Sequence, residues 1–333
     1  MKLATRKRAL SRRSVMAGIA TLATAPLMLT TAARASYPQD AGVIKIVIPF
    51  AAGGASDLIA HLLTEYLGNS RHATAVIENV PGGSATVGIN RVAKGPTDGT
   101  EIIVLPLNYV TTEFIMSDLP YNPEHDIIPL SHLTSQANLL CVRKDLPVKS
   151  VNDLIAYAKS NPGRLNYASS GAGSPLHLAA ELFKQMTGTQ IVHIPYAGSA
   201  PAKNDLVGGH IDLMFDNVVS IIGLARSGAV RALAITSVER SMLMPEYPTV
   251  AETVPGYSAG GWFGTGVRAG TPPAVCDTIE RISMDLMQQP ATKERLAKAL
   301  SEPIGSDART FQKFLVGERK RWGGLIKSLN IKS

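Results

Sequence analysis

The sequence predicts an α/β fold of two lobes, each with a mainly parallel sheet flanked by helices and with a cleft between them. Short apolar runs rich in β-branched residues alternate with segments of helix length, as in parallel sheets with crossover helices. The part of the chain after residue 35 exceeds the usual size of a single core. A unit of strand, small-residue loop, helix and strand occurs twice, which favours two corresponding lobes.

The individual elements follow from apolar periodicity and from the Gly, Pro, Asn and Asp residues that bound each run. The predicted strands are Ile44–Pro49, Ala75–Glu78, Glu101–Leu105, Leu139–Val142, Leu165–Ala168, Ile191–Ile194, Ile211–Phe215 and Val230–Thr236. The predicted helices are Ser56–Leu67, Pro175–Thr187, Ala200–Gly208, Ser220–Ser227, Pro273–Gln288, Thr292–Leu300 and Thr310–Ser328. Gly68, Gly188, Gly209 and Gly228 follow predicted helices, where a left-handed residue is favoured.

The first 35 residues have the pattern of an export signal. Six Lys and Arg residues between positions 2 and 13 precede an apolar, Ala-rich stretch from Val15 to Met28. This stretch is too short to span a membrane, and Ala33-Arg34-Ala35 has the form of a cleavage site, so we expect cleavage after Ala35. Ser11 to Met16, with Arg12 and Arg13, resembles a twin-arginine signal. An uncleaved N-terminal anchor is the alternative.

Removal of this segment changes the charge of the protein. The full chain has 33 Lys+Arg and 26 Asp+Glu. Seven of the basic residues and none of the acidic ones lie within residues 1–35, which leaves 26 of each sign afterwards. The high pI therefore belongs to the leader, and a basic surface for nucleic acid is not expected.

The two small-residue loops predict an anion site. The loop that ends at Ser56 and the loop from Ser169 to Ser174 each follow a strand and precede a helix. Such loops leave backbone N–H groups unobstructed, and the following helix adds its positive end. Two facing lobes would therefore bind one carboxylate without using a cation. The alternative is that the glycines serve tight turns and that Ser56 and Ser174 cap helices.

Enzymatic and metal chemistry have weaker support in the sequence. Ser174, His177 and Asp216 supply the residue types of a hydrolytic triad, but the chain has no G-x-S-x-G motif. We therefore expect no enzyme activity, with a periplasmic hydrolase as the alternative. The seven histidines form no H-x-x-x-H pair and the two cysteines form no cluster, so no metal and no cofactor is expected. Cys141 and Cys276 are expected to be buried free thiols, with a disulfide between them as the alternative.

Several ordered motifs resemble the Bug-type (TctC-like) substrate-binding proteins of tripartite tricarboxylate transporters. The matching stretches are Ile46–Asp57, Val76–Gly83, Val92–Gly99, Ala158–Ser169, His193–Pro201, Arg231–Thr236, Pro248–Glu252 and Glu318–Trp322. The resemblance implies a periplasmic binding protein type II fold that closes on a small carboxylate. It also implies integral-membrane transporter subunits as partners, a periplasmic location and a monomeric state.

The same resemblance implies a set of ligand-binding residues. In the first lobe these are Phe50, Ala52, Gly53, Gly54 and Ser56, and in the second lobe Ser169, Ser170, Gly171, Gly173 and Ser174, with His177 behind the loop. Asn108, Tyr196 and Asp216 resemble positions that set ligand selectivity. Ala52, Ala197 and Ser84-Ala85 depart from the residues that are common in the family, which leaves the identity of the carboxylate open.

The predicted organisation is a leader over residues 1–35, a first lobe over residues 36–138 and about 260–333, and a second lobe over about 139–259. The predicted function is extracytoplasmic capture of a carboxylate for a tripartite transporter. A ligand sensor that feeds a two-component kinase is an alternative within the same class of protein.

Overall fold

The structure is a computed structural model, and it describes residues 37–50, 52, 55–171, 173–196, 198–242 and 244–331. The predicted leader, Gly53 and Gly54 lie outside the described residues. The strands are β1 Val43–Ile48, β2 Thr74–Asn79, β3 Glu101–Pro106, β4 Ile127–Arg143, β5 Asn166–Ser169, β6 Val192–Pro195, β7 Leu213–Asn217, β8 Val230–Ile235, β9 Gly260–Arg268 and β10 Ser301–Pro303.

The helices pack on both faces of the sheet that these strands form. They are α1 Ala55–Arg71, α2 Thr86–Ala93, α3 Asn108–Ile115, α4 Val151–Ser160, α5 Pro175–Thr187, α6 Ser199–Val207, α7 Val218–Arg226, α8 Pro273–Gln288, α9 Pro290–Lys298 and α10 Ala308–Ser328. Two short 3-10 helices span Gly83–Ala85 and Val250–Glu252. The α/β class with helix-flanked sheets is confirmed.

The strands form one curled sheet in the order β2-β1-β3-β9-β4-β7-β5-β6, and β8 and β10 also pair with β4. The outer strands are parallel: β1 pairs with β2 and β3, and β5 pairs with β6 and β7. The strands in the middle are antiparallel, because β4 and β9 run against their neighbours. The sheet is therefore mixed, with one parallel region at each end.

The long strand β4 joins these two regions. Its residues 127–137 pair with β9, and from Asn138 onward it pairs with β7 and β8. We call the region around β1, β2, β3 and β9 the first lobe and the region around β5 to β8 the second lobe. The predicted lobe boundaries near residues 138 and 259 stay predictions, because one continuous strand belongs to both lobes.

The cores show why these segments fold as they do. The odd and even positions of β1 and β3 enter two different clusters, with Val47 and Ile103 on one face of the sheet and Ile46 and Ile102 on the other. Such burial of both faces is typical of parallel strands. A separate cluster around Leu139, Cys141 and other residues fills one face of the second lobe.

Both cysteines are buried and free, as expected. Cys141 lies in β4 and Cys276 lies in α8.

The predicted elements differ from the structure at a few positions. β9, β10, the first part of β4 and the helices α2, α3 and α4 were not predicted. The expectation that Gly68 ends a helix is wrong, because α1 continues to Arg71 and His72 takes the left-handed conformation (φ 53°). Arg71 holds the last turn through an ion pair with Asp285 at 2.7 Å. Gly188, Gly209 and Gly228 have the expected positive φ.

The β4–β9 pairing gives a test of close strand packing. A methyl group at Gly260 would lie 2.2 Å from the carbonyl oxygen of Gln136 on β4, whereas a methyl group at Gly261 meets nothing within 4 Å. We expect Gly260→Ala to lower the free energy of unfolding by about 1–3 kcal/mol, because backbone atoms would have to move. Gly261→Ala is the matched control and should change it by less than about 0.5 kcal/mol. Urea unfolding of both variants measures this, and equal stabilities would contradict the packing.

Candidate functional site

Helix N-termini follow the carboxyl ends of the parallel strands in both lobes. In the first lobe α1 follows β1 and α3 follows β3, and in the second lobe α5, α6 and α7 follow β5, β6 and β7. Parallel strands end at the same edge of a sheet, where open α/β folds bind ligands. Each helix directs the positive end of its dipole toward that edge, so both edges favour an anion.

One contact joins the two lobes. A methyl group placed on Gly173, in the loop after β5, would lie 2.2 Å from Cδ1 of Ile115 at the end of α3. Gly173 also has a φ of 71°, a conformation that glycine adopts without strain. The second-lobe loop therefore lies against the end of a first-lobe helix, and any other residue at this position would strain the backbone and displace the Ile115 side chain.

The first-lobe loop is held by a residue that the sequence reasoning missed. The side-chain amide of Asn79, at the end of β2, donates to the carbonyl oxygen of Phe50 at 3.1 Å and to Oδ1 of Asp57 at 3.0 Å. Ser56 is buried and Ala52 is exposed. Two features of the sequence could have identified Asn79. It lies within a stretch that carries the family resemblance, and it directly follows a predicted strand.

Asn108 begins α3 directly beyond β3 and is nine-tenths buried. Its backbone carbonyl accepts from Thr112. Its side-chain amide forms no hydrogen bond with any described residue, so both the donor and the acceptor of this amide are available to a ligand.

The second-lobe loop satisfies most of its own backbone donors. Gly171 N–H donates to Ser169 Oγ at 3.1 Å, Gly173 N–H donates to Nδ1 of His177 at 2.9 Å, and Ser174 N–H donates to the Gly171 carbonyl at 3.3 Å. The expectation of unobstructed N–H groups is therefore wrong for these three residues, since nearly buried donors take partners within the loop.

Ser170 is the described exception within this loop. Its N–H donates to none of the described residues, and the residue is partly exposed. Its amide and hydroxyl, together with the N-terminus of α5, are the donors that the described part of the loop leaves for an anion.

The start of α5 is fixed by capping. The Ser174 hydroxyl accepts from the N–H of His177 at 3.2 Å, and Pro175 occupies the first turn. This confirms the capping alternative for Ser174. Burial, followed by the nearby ring of His193, lowers the pKa of His177 to about 4, so its imidazole is neutral at physiological pH.

Two of the predicted selectivity residues, Asp216 and Tyr196, use their side chains for hydrogen bonds within the second lobe. Asp216 is 1% exposed, and its carboxylate accepts from the Ser199 hydroxyl at 2.5 Å and from the Asn217 N–H at 2.8 Å. Burial raises the pKa of Asp216. The Tyr196 hydroxyl donates to Asp205 at 2.5 Å, and burial together with this carboxylate raises the pKa of Tyr196 to about 12.

The residue types of a hydrolytic triad have other partners. Ser174 Oγ accepts from a backbone N–H, His177 Nδ1 accepts from Gly173, and Asp216 accepts from Ser199. No hydrogen bond between these described side chains links them as nucleophile, base and orienting acid.

Within the described ranges, no three His, Cys, Asp or Glu residues form a group that could hold a metal ion. In the same part of the chain, no helix is long and apolar enough to span a membrane.

Comparisons with known proteins agree with this geometry. The family model described as "Tripartite tricarboxylate transporter family receptor" matches residues 59–331. BugT of Bordetella pertussis is 32% identical over 302 residues, which are 89% of this chain and 91% of BugT.

Two solved structures from Rhodopseudomonas palustris are also similar. Rpa4515, solved with adipate, has 34% identity and a TM-score of 0.81, and the match covers 89% of this chain and 100% of that chain. MatC, solved with bound malate, has 28% identity and a TM-score of 0.74, and the match covers 85% of this chain and 98% of that chain.

Proposed function

The chain belongs to the tripartite tricarboxylate transporter family of receptors, and from this membership we propose that it captures a small carboxylate outside the cytoplasm for membrane transporter subunits. The observation that carries the proposal is the direction of the strands: β1 and β3 run parallel to β4 while β5 and β7 run against it, so the carboxyl ends of the two parallel regions face each other along β4. The helix N-termini that follow these strand ends favour a carboxylate between them through dipoles and uncharged donors. The ligand is bound and released without chemical change.

The donors of the site are uncharged. None of the fourteen predicted site residues is Lys or Arg. Two acidic side chains near the loops have partners in the protein, because Asp57 accepts from Asn79 and Asp216 accepts from Ser199 and Asn217. Recognition by backbone and side-chain donors suits any carboxylate, and we propose that Asn108 and Ser170 contact the ligand directly.

Relatives suggest the class of ligand to test first. Adipate is present in the Rpa4515 structure and malate in the MatC structure, so we propose a dicarboxylate. Isothermal titration of the purified protein with mono-, di- and tricarboxylates and amino acids should give saturable binding for at least one dicarboxylate. Absence of binding for every compound in the panel would contradict the proposal.

A charge placed at the second-lobe loop tests the site itself. Gly171 has a φ of 120°, so both Gly171→Asp and Gly171→Ala strain the backbone, but only the first adds a negative charge. We expect the Kd of the bound dicarboxylate to rise at least about tenfold more in Gly171→Asp than in Gly171→Ala, because a like charge would face the ligand. Equal Kd values for the two variants would place the ligand elsewhere.

The leader pattern supports a periplasmic location with cleavage after Ala35, and the family membership supports a monomeric receptor. If the twin-arginine pair directs export, replacing Arg12 and Arg13 together by Lys should leave the uncleaved chain inside the cell. Replacing Arg6 and Arg8 together by Lys is the matched control, since it preserves the total charge in the same way. Fractionation and the mass of the exported protein measure the result, and normal export of the first variant would refute the twin-arginine route.

A further inference from the structure

Three aromatic rings stack directly behind the second-lobe loop. The ring centroids of His177 on α5 and His193 on β6 are 4.0 Å apart with planes at 10°, and Tyr167 on β5 stacks on His193 at 4.8 Å. Two of these rings are imidazoles, and each one also bonds to the loop. The stack therefore couples the two histidines to each other and to residues 169–173.

The bond made by His177 fixes its protonation state. Its Nδ1 accepts the Gly173 N–H at 2.9 Å, so Nδ1 carries no proton and the neutral ring has its proton on Nε2. Nε2 lies 3.9 Å from Oε1 of Glu181. A proton added to Nδ1 would oppose the Gly173 N–H, and the Ile115 side chain leaves Gly173 little room to move.

His193 supports the other end of the loop. Its Nε2 lies 2.6 Å from Oγ of Ser169, and the same hydroxyl accepts the Gly171 N–H at 3.1 Å. The two imidazoles thus hold Gly171 and Gly173, one through Ser169 and the other directly.

Few charged groups face the pair. From α5, the Glu181 carboxylate favours a proton on either ring and the Lys184 ammonium opposes it. Glu181 is already occupied, because its Oε1 accepts from Tyr167 and from Lys184 at 2.5 Å each. β5 contributes the hydroxyl of Tyr167, and β6 contributes His193 itself. If both imidazoles were protonated, their charges would repel each other across the 4.0 Å between the stacked rings.

We infer that His177 and His193 are positioning residues that hold the loop from Ser169 to Ser174, and that the loop keeps its ligand-binding shape only while His177 is neutral. The inference rests on the proposed function for its ligand. It makes carboxylate affinity depend on pH through the protein as well as through the ligand.

The direction of this dependence follows from burial. A released histidine has a pKa near its usual 6.5, whereas burial lowers the pKa of His177 in the loop to about 4 and also lowers that of His193. The binding shape is therefore fully stable above about pH 6.5 and is lost progressively as the pH falls toward 4. Between pH 7.5 and pH 5 this difference in pKa sets an upper limit of about thirtyfold on the loss of affinity through His177.

Titration with adipate and malate at pH 7.5, 6.5, 5.5 and 5.0 tests this on wild type and His177→Asn. The Asn Oδ1 can accept from Gly173 but does not titrate in this range. Because both proteins meet the same ligand, ionisation of the ligand cancels in the ratio of their Kd values. We expect this ratio to change with pH between pH 7.5 and pH 5.0, by up to about thirtyfold, and His61→Asn, at an exposed position on α1, to follow wild type.

Imidazole 15N NMR of the ligand-free wild type provides a second test that needs neither variant nor ligand. We expect His177 to be the neutral Nε2–H form at pH 7.5 and to be still mostly neutral at pH 6.5. A constant Kd ratio, or a His177 ring that is charged at pH 6.5, overturns the inference. If neither probe binds at any pH, the dicarboxylate proposal fails and the NMR result alone decides the role of the histidines.

Discussion

The shared strand β4 is the constraint on which the rest of the structure depends. Its first part pairs with β9 and its last part pairs with β7 and β8. Both parallel regions are therefore attached to one continuous strand. The ends of β1 and β3 are therefore set against the ends of β5, β6 and β7. The contact between Gly173 and Ile115 joins the two lobes, and Gly260 lets β9 lie against the Gln136 carbonyl of β4.

The chemistry of the proposed site follows from this placement rather than from charged side chains. The net positive charge of the full chain lies in residues 1–35, so affinity for an anion has to come from helix ends and uncharged donors. The second-lobe loop uses most of its own N–H groups to hold its shape, with the Ser169 hydroxyl, the Gly171 carbonyl and His177 Nδ1 as acceptors. A loop stabilised in this way is preorganised, which reduces the cost of ordering it on binding.

The sequence predicts an element best where its apolar periodicity agrees with the Gly and Pro residues that mark its ends. α5 and α8 have the predicted bounds, because Pro at the start and consistent apolar spacing mark them. β9 contains four glycines in nine residues, a composition typical of loops, and it becomes a strand only because its neighbours β3 and β4 approach closely. α3 is rich in β-branched and aromatic residues that favour strands, yet packing against α10, where Gly323 lies under the ring of Phe114, makes it a helix.

The site residues show the same limit. The loop from Ser169 to Ser174 and its capping role were readable from the sequence, because strand, small-residue loop and helix are adjacent in the chain. Asn79 and His193 were not identified, because each acts on a loop that lies more than twenty residues away. The hydrogen bonds that occupy the side chains of Asp216 and Tyr196 depend on α6 and on the elements near it in space. No local sequence pattern reveals them.

Amide hydrogen exchange with and without a bound dicarboxylate tests the central claim most directly, namely that loops of both lobes bind one carboxylate ligand. We expect binding to slow amide exchange in both residues 50–57 and residues 169–177, with little change at the far ends of the sheet. Protection confined to one of these segments, or located away from both, would contradict it.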